Sequence, residues 1–337
     1  MTTVVTGASG HIGVNLVRSL LANGRSVRAL IHRNIQAVEG LNIEIVQGDI
    51  CDQTSLYEAF NGADVVYHSA ARISIMTDEW PLFELVNVAG TRNVVEACLR
   101  CGVHRLIHFS SIHALAQEPL DVTVNESRPL VESQNCLPYD LSKAAGEKEV
   151  RQGIEKGLDA IILNPTAIVG PFDYEPSLFG KALLALARGQ LPALMAGGYD
   201  WVDVRDVVAG AIQAEERAAT GARYLLSGHW VSLCDVASIV AQITGVPVPR
   251  FVCPMWLGRI AAPIVTAYDR LKGRHPLYTS ASVKALRSNR NISHEKASRD
   301  LDYFPRPLRE TIIDTLRWFE VNGWLEHPLL LDSTESL

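Results

Sequence analysis

The chain has 337 residues, 47% of them hydrophobic and 20% charged, with a formal charge of −6. That length supports one large domain plus a smaller one, and that apolar fraction excludes wholesale disorder. Both signs of charge are mixed along the chain, so neither a nucleic-acid nor a membrane partner is expected.

The chain opens Met1-Thr-Thr-Val-Val-Thr-Gly7, with neither a basic n-region nor a cleavable apolar stretch. No secretory signal is read there. Six cysteines are scattered, and Cys98 with Cys101 forms a CxxC that has no second pair at zinc-site spacing. A reduced, cytoplasmic protein without a metal centre is expected.

Thr2–Thr6 reads as a strand, and a helix pattern follows over residues 11–23, ending at Gly24. Further strands are predicted at 27–31, 43–47, 64–68, 106–109 and 160–163. Each is short and mostly apolar on both faces. Such strands, separated by helices, imply an α/β architecture: a doubly wound parallel sheet, covered on both sides.

After Asn164-Pro165 the segments lengthen and become richer in Pro and Gly. One helix is predicted at 203–216, with Asp203 as its cap, and one more strand at 223–226. The most apolar late stretch, 256–268, is interrupted by Arg259 and Pro263 and is too short to span a bilayer. It reads as a buried or half-buried helix. Further breaks are expected at Pro247, Pro249, Pro254 and Pro276. Residues 308–322 form an amphipathic helix. The expected organisation is a dinucleotide-binding domain over 1–165, to which 201–228 returns. A smaller, mostly helical substrate region covers 166–200 and 229–325, and a weakly ordered tail covers 326–337.

Gly7, Gly10 and Gly13 stand in the run Thr6-Gly-Ala-Ser-Gly-His-Ile-Gly13, after a strand and at the opening of a helix. Glycines at this spacing permit a tight turn and close backbone approach to a pyrophosphate, which the N–H groups and dipole of the helix start then face. Gly7, Ser9, Gly10, His11, Ile12 and Gly13 are the candidate phosphate-side residues, with the His11 side chain expected on the surface. At the end of the second strand, Leu30-Ile-His-Arg-Asn34 lacks the carboxylate that bonds the ribose hydroxyls of NAD. His32 and Arg33 stand there instead, and a guanidinium can fork onto the extra phosphate of NADP. NADP(H) is the expected cofactor and NAD(H) the alternative.

Tyr139 and Lys143 are four residues apart, so on a helix they share a face. An ammonium beside a phenol is expected to stabilise the phenolate and lower its pKa from about 10. The tyrosine can then exchange a proton with a carbonyl or alcohol oxygen.

With these landmarks the chain resembles the extended short-chain dehydrogenase/reductases, the NAD-dependent epimerase/dehydratase-like family. It looks nearest the dihydroflavonol-reductase-like and hopanoid-associated epimerase-like branches. Gly48-Asp49, followed by Ile50, resembles the adenine-side segment. Asp64-Val-Val-Tyr-His-Ser-Ala-Ala71 resembles the fourth-strand motif, which puts Ser69, Ala70 and Ala71 at the cofactor. Asn87-Val-Ala-Gly-Thr-Arg-Asn93 resembles the family's NxxGTxN, and Tyr139-Asp-Leu-Ser-Lys143 its catalytic helix. Ser110-Ser111 resembles the end of the fifth strand, which makes Ser111 the third catalytic residue, holding the substrate oxygen. Asn164, Pro165 and Ala167 fall in the nicotinamide-side loop, and Lys143 would also hold the nicotinamide ribose.

The resemblance further implies a homodimer through the helices at 87–101 and 139–156. His113 and Trp201 are the candidate substrate contacts. His68 is read as structural. The acidic pair of the family's dehydratases is replaced by Ile112 and His113. The largely apolar loops at 71–81, 114–137 and 174–199 suit a mainly apolar small-molecule carbonyl compound. Two other readings stay open. One is a nucleotide-sugar epimerase, for whose diphosphate Arg223, Arg250, Arg259, Arg274 and Arg287 are available but not patterned. The other is a non-catalytic NADP-binding redox sensor, although such proteins typically lack the Tyr or Lys that this chain keeps.

Overall fold

A computed structural model describes residues 1–76, 78–132, 136–271, 279–326 and 328–330. In chain order its elements begin β1 (Thr2–Thr6), α1 (His11–Ala22), β2 (Ser26–Ile31), β3 (Glu44–Gln47), α2 (Gln53–Phe60), β4 (Val65–His68) and α3 (Trp80–Phe83). A π-helical turn at Glu84–Ala89 leads into α4 (Gly90–Cys101), then β5 (Arg105–Phe109), α5 (Pro138–Glu155), β6 (Ala160–Pro165) and β7 (Ala167–Val169). There follow α6 (Leu178–Ala187), β8 (Ala193–Met195), β9 (Gly198–Asp203), α7 (Val204–Arg217), β10 (Arg223–Leu226), β11 (His229–Ser232) and α8 (Leu233–Thr244). The last are β12 (Phe251–Cys253), α9 (Met255–Leu271), α10 (Ser280–Ala285), α11 (Glu295–Leu301) and α12 (Leu308–Val321).

Seven strands form one parallel sheet in the order β10-β6-β5-β4-β1-β2-β3. The order reverses between β1 and β4, so the connections leave a crevice at the C-terminal ends of those strands. Both faces of the sheet are buried. On one, Val5, Tyr67, Ile107 and Phe109 pack against Leu16 and Leu20 of α1 and Val207 and Ala211 of α7. On the other, Val4, Val66, Leu106 and Ile162 pack against Leu56 and Phe60 of α2, Val94 and Cys98 of α4 and Val150 of α5. Cys98 of the CxxC is therefore a core side chain. The edge strand β3 departs from the expectation of two apolar faces. With β2 on one side only, it leaves Glu44, Ile45 and Gln47 exposed.

Beyond β6 the chain builds a second layer. β7, β9 and β11 form a three-stranded sheet, and β8 pairs with β12. α6, α8 and α12 cover them around Trp201, Leu183, Leu186, Val240 and Leu316. α7 and β10 lie with the main sheet. Asp203 caps α7, its side chain accepting the Arg205 N–H at 2.7 Å. The stretch expected as a buried or half-buried helix is α9, and it is half-buried, with Gly258 and Ala262 turned inward. It runs on through Pro263 at the cost of one backbone hydrogen bond, and its Trp256, Arg259 and Ile260 are exposed. The expected break at Pro276 lies outside the described residues, as do residue 327 and residues 331–337 of the tail. Among the described residues, no helix is long and apolar enough to cross a membrane.

Two histidines are paired across β4 and β5 and sealed under α5. The His68 and His108 rings lie 5.3 Å apart. His68 bonds the hydroxyls of Thr6 at 2.8 Å and Thr91 at 3.1 Å. Among the described residues, neither ring nitrogen of His108 has a hydrogen-bond partner. Burial, with the Lys143 cation nearby, pushes His68 down to about 3 and His108 well below the usual imidazole value. Both are neutral in the folded protein but titrate near 6.5 when unfolded. Stability is therefore complete above about pH 6.5 and is lost progressively as pH falls toward the folded values. Replacing His108 by Leu is expected to remove about 2 kcal/mol of the stability lost between pH 7 and pH 5. Urea unfolding of wild type and variant at the two pH values reads this directly, and equal acid losses would contradict it.

Candidate active site

A cavity of about 380 Å3 opens along the C-terminal rim of the main sheet. One end is the glycine turn. Gly7 sits at φ 69°, where only glycine rests without strain, and a side chain there would meet Ala70 N at 2.6 Å. A Cβ on Gly13 would lie 2.0 Å from the Gly7 carbonyl oxygen, so α1 can start this close to β1 only with glycine at that position. Gly10 precedes α1 and offers no side chain to cap it, and no acidic residue stands in the first turn. The N–H groups of that turn are thus free to meet an anion. The residues present fit the diphosphate of a dinucleotide.

His11 is not a surface residue. It is half-buried, and its Nε2 stands 3.1 Å from the carbonyls of Gly170 and Pro171. Together with Asn15, which donates to the Pro171 carbonyl at 3.1 Å, it ties the turn to the loop after β7. Ser69 donates to Thr6 O at 2.8 Å, which joins the ends of β1 and β4.

Gly7, Gly10, His11, Ile12, Gly13, Ser69, Ala71, Pro165 and Ala167 line the cavity, as do Ser111, Tyr139, Lys143, His113 and Trp201. His32, Arg33 and Asp49 lie farther along the same rim, past the ends of β2 and β3, with His32 Nε2 3.4 Å from an Asp49 carboxylate oxygen. Ser9 is half-buried in the turn. Like Ser9, His32, Arg33 and Asp49, three further expected cofactor residues do not line the cavity. Ile50 and Ala70 pack into the core. Asn164 is fully buried and donates to Ser111 O at 2.8 Å; it positions the serine.

Tyr139 lies in the first turn of α5, with Lys143 one turn on. Lys143 is buried, and its ammonium donates to Phe109 O at 2.8 Å. Burial pushes it down to about 8, against the opposing pull of Glu147. The Tyr139 phenol is pushed up to about 12 by burial, opposed by a hydrogen bond from Ser111. The expected lowering by Lys143 is absent, because desolvation dominates and that ammonium is turned to the Phe109 carbonyl. Ser111 accepts the His113 N–H at 3.1 Å, which leaves its own proton to donate toward the Tyr139 oxygen. His113 stands edge-on to the Tyr139 ring, with Nδ1 3.5 Å from the Asp140 carboxylate.

One group escaped the sequence reading. Glu147 is fully buried one turn past Lys143 and accepts from Ser110 at 3.1 Å, from Asn164 at 3.2 Å and from Arg151 at 3.2 Å. Arg223 of β10 also bonds it. Its spacing of four from Lys143 was the available signal. That bond also takes Arg223 out of the set offered for a diphosphate. Arg250, Arg259 and Arg287 are exposed and do not line the cavity, and Arg274 lies outside the described residues.

The far end of the cavity is apolar. Ile73, Ile75 and Met76 face Phe179, Leu186, Leu191, Leu194, Leu233 and Leu286. Trp201 is buried there, its Nε1 donating to Val231 O at 3.0 Å, with Phe179 and Tyr199 packed edge-on to it. It is both a core residue and a wall of the cavity.

Residues 3–226 match the NAD dependent epimerase/dehydratase family. The chain is 36% identical to sterol demethylase protein B of Methylococcus capsulatus, over 96% of this chain and 100% of that one. It is 30% identical to a putative dihydroflavonol 4-reductase of Synechocystis, over 96% and 95%. Among solved structures, that of gox2253 superposes with a TM-score of 0.85 at 34% identity, covering 96% of this chain and 99% of that one. A UDP-glucose 4-epimerase from Thermotoga maritima shares the fold at a TM-score of 0.77 and 20% identity, over 96% and 100%. Several relatives carry the names of reductases or dehydrogenases, a 3 beta-hydroxysteroid dehydrogenase among them. The chain belongs to the NAD dependent epimerase/dehydratase family, the extended short-chain dehydrogenase/reductases, and is an NAD(P)-dependent enzyme of that kind.

Proposed function

We propose that the protein uses NADP(H) to reduce the carbonyl of a mainly apolar small molecule to an alcohol. The observation that carries this reading is the juxtaposition of Tyr139 and Ser111 with the apolar walls of one cavity. When bound, the cofactor supplies the hydride. The backbone N–H groups at the start of α1 hold its diphosphate, and Arg33 takes the ribose phosphate.

The chain's own groups handle the oxygen. Tyr139, held at about 12, keeps its proton near neutrality and is poised to give it to a carbonyl oxygen that is gaining charge. Ser111, oriented by the His113 N–H and by Asn164, donates a hydrogen bond to the same oxygen. With the cofactor bound, the Lys143 ammonium would hold its nicotinamide ribose. The apolar walls excludes water and seat the hydrocarbon part of the substrate. An apolar wall suits the diphosphate of a nucleotide sugar poorly, which disfavours the epimerase reading. The retained tyrosine and lysine disfavour a cofactor sensor.

Three outcomes test this reading. Tyr139→Phe should lower turnover by about 10²–10⁴ and leave cofactor affinity nearly unchanged; unchanged turnover removes Tyr139 from the reaction. Because Lys143 loses its proton near pH 8, reduction should be level below about pH 7 and fall through about pH 8. A profile level to pH 10 would contradict the role given to the ammonium. Arg33→Ala should weaken NADPH binding about tenfold or more and leave NADH binding nearly unchanged. Equal losses in fluorescence titrations would overturn the NADP assignment.

A further inference from the structure

The chain as a whole carries a charge of −6, but residues 236–294 hold eight arginines and lysines against a single acid, Asp269. The same region carries an unusual exposed surface. Phe251 is 55%, Val252 42%, Trp256 65% and Ile260 62% exposed. Phe251 and Val252 lie on β12, and Trp256 and Ile260 stand one turn apart on the outer side of α9. Arg250 precedes the first pair and Arg259 sits within the second, both exposed.

Singly exposed apolar residues are ordinary. Four together within ten residues, one of them a tryptophan, flanked by cations and with no acid nearer in sequence than Asp269 on one side and Asp235 on the other, have a particular chemistry. Indole rings favour the headgroup level of a bilayer, and arginine keeps its charge in water while its stem covers hydrocarbon.

The inner side of α9 adds the link to function. Ala262 packs with Met195, with Val283 of α10 and with Leu286 just after it, and Gly258 lets the Met195 side chain approach closely. α10 is a wall of the apolar cavity through Ala281, Ser282 and Ala285. The Thr279 hydroxyl before it donates to Ile75 O at 3.1 Å, which joins that wall to the exposed, cavity-lining segment of Ile73. The cationic, apolar face is therefore the outside of the wall whose inside receives the substrate.

We propose that the face formed by β12 and the outer side of α9 docks on a lipid bilayer that contains anionic lipid, from which an apolar substrate reaches the cavity behind it. A compound that suits the cavity partitions into lipid rather than water, so an enzyme held at the lipid surface meets it at the higher concentration. Peripheral attachment of this kind needs no spanning helix. A second copy of the chain fits the face less well, because a two-fold contact would set like charges against each other.

The inference rests on the cavity's apolar walls, not on the reaction assigned to Tyr139. Vesicle binding needs neither cofactor nor turnover, so failure of the one leaves the other standing.

The test is flotation of the full chain with vesicles of phosphatidylcholine alone and of phosphatidylcholine mixed with phosphatidylglycerol. The protein should float with the mixed vesicles and be released by high salt. Arg250→Ala with Arg259→Ala should weaken that binding by about tenfold or more. Trp256→Ser with Ile260→Ser should do the same even at low salt. Both variants should keep the wild-type solution mass, and turnover of a freely water-soluble carbonyl compound should be unchanged. Absence of binding to the mixed vesicles, or equal binding by both variants, overturns the proposal. So does a wild-type oligomer that the Trp256 and Ile260 variant splits, which would assign the face to a second copy.

Discussion

The structure turns on one buried cation. Lys143 stands on α5 above the ends of β5 and β6 with almost no contact with solvent, and its ammonium is bonded to the Phe109 carbonyl. A charge so placed imposes conditions on its surroundings. Glu147, one turn away, supplies the opposite charge and is itself bonded by Ser110, Asn164, Arg151 and Arg223. Those bonds run to β6, to β10 and to the residue after β5, so α5 is held over the rim by the groups that tolerate its lysine. His68 and His108 are kept neutral by the same burial and the same cation. The Asn164 that touches Glu147 also holds the Ser111 carbonyl. Ser111 and Lys143 are therefore held by one connected network beside Tyr139.

The second layer gives that network something to act on. β7, β9 and β11 bring Trp201 and Tyr199 to the rim, α6 brings Phe179, and α8 and α10 close the far side. The cofactor end of the cavity is backbone and small residues, and the substrate end is hydrocarbon. This division separates the hydride source, which needs anion-binding N–H groups, from the substrate, which needs only shape and exclusion of water. Under the proposed function, a fold shared with nucleotide-sugar epimerases would here serve apolar compounds.

Much of this was legible in the sequence because it rests on local spacing. Strand lengths, the three glycines and the Tyr139–Lys143 interval are set by neighbours in the chain, and the sheet formed from them with β10 at its edge. Long-range contacts were not legible. Nothing near His11 in sequence announces the Gly170 and Pro171 carbonyls. Arg223 read as a free cation because Glu147 is far from it in the chain. The sign of the Tyr139 shift failed for a related reason: the helical interval placed an ammonium beside the phenol, but the Phe109 carbonyl that engages it comes from another strand. Whether α9 is buried or half-buried stayed open, because hydropathy alone does not tell an apolar face turned inward from one turned out.

The most direct test of the central claim follows the hydride. The enzyme would be supplied with NADPH carrying deuterium at both C4 positions of the nicotinamide and with an apolar cyclic ketone, and the product examined by mass spectrometry. The account predicts one deuterium on the new alcohol carbon for each NADPH oxidised. An alcohol without deuterium, or a protein that releases only tightly held NAD on denaturation and turns over no added NADPH, would contradict it.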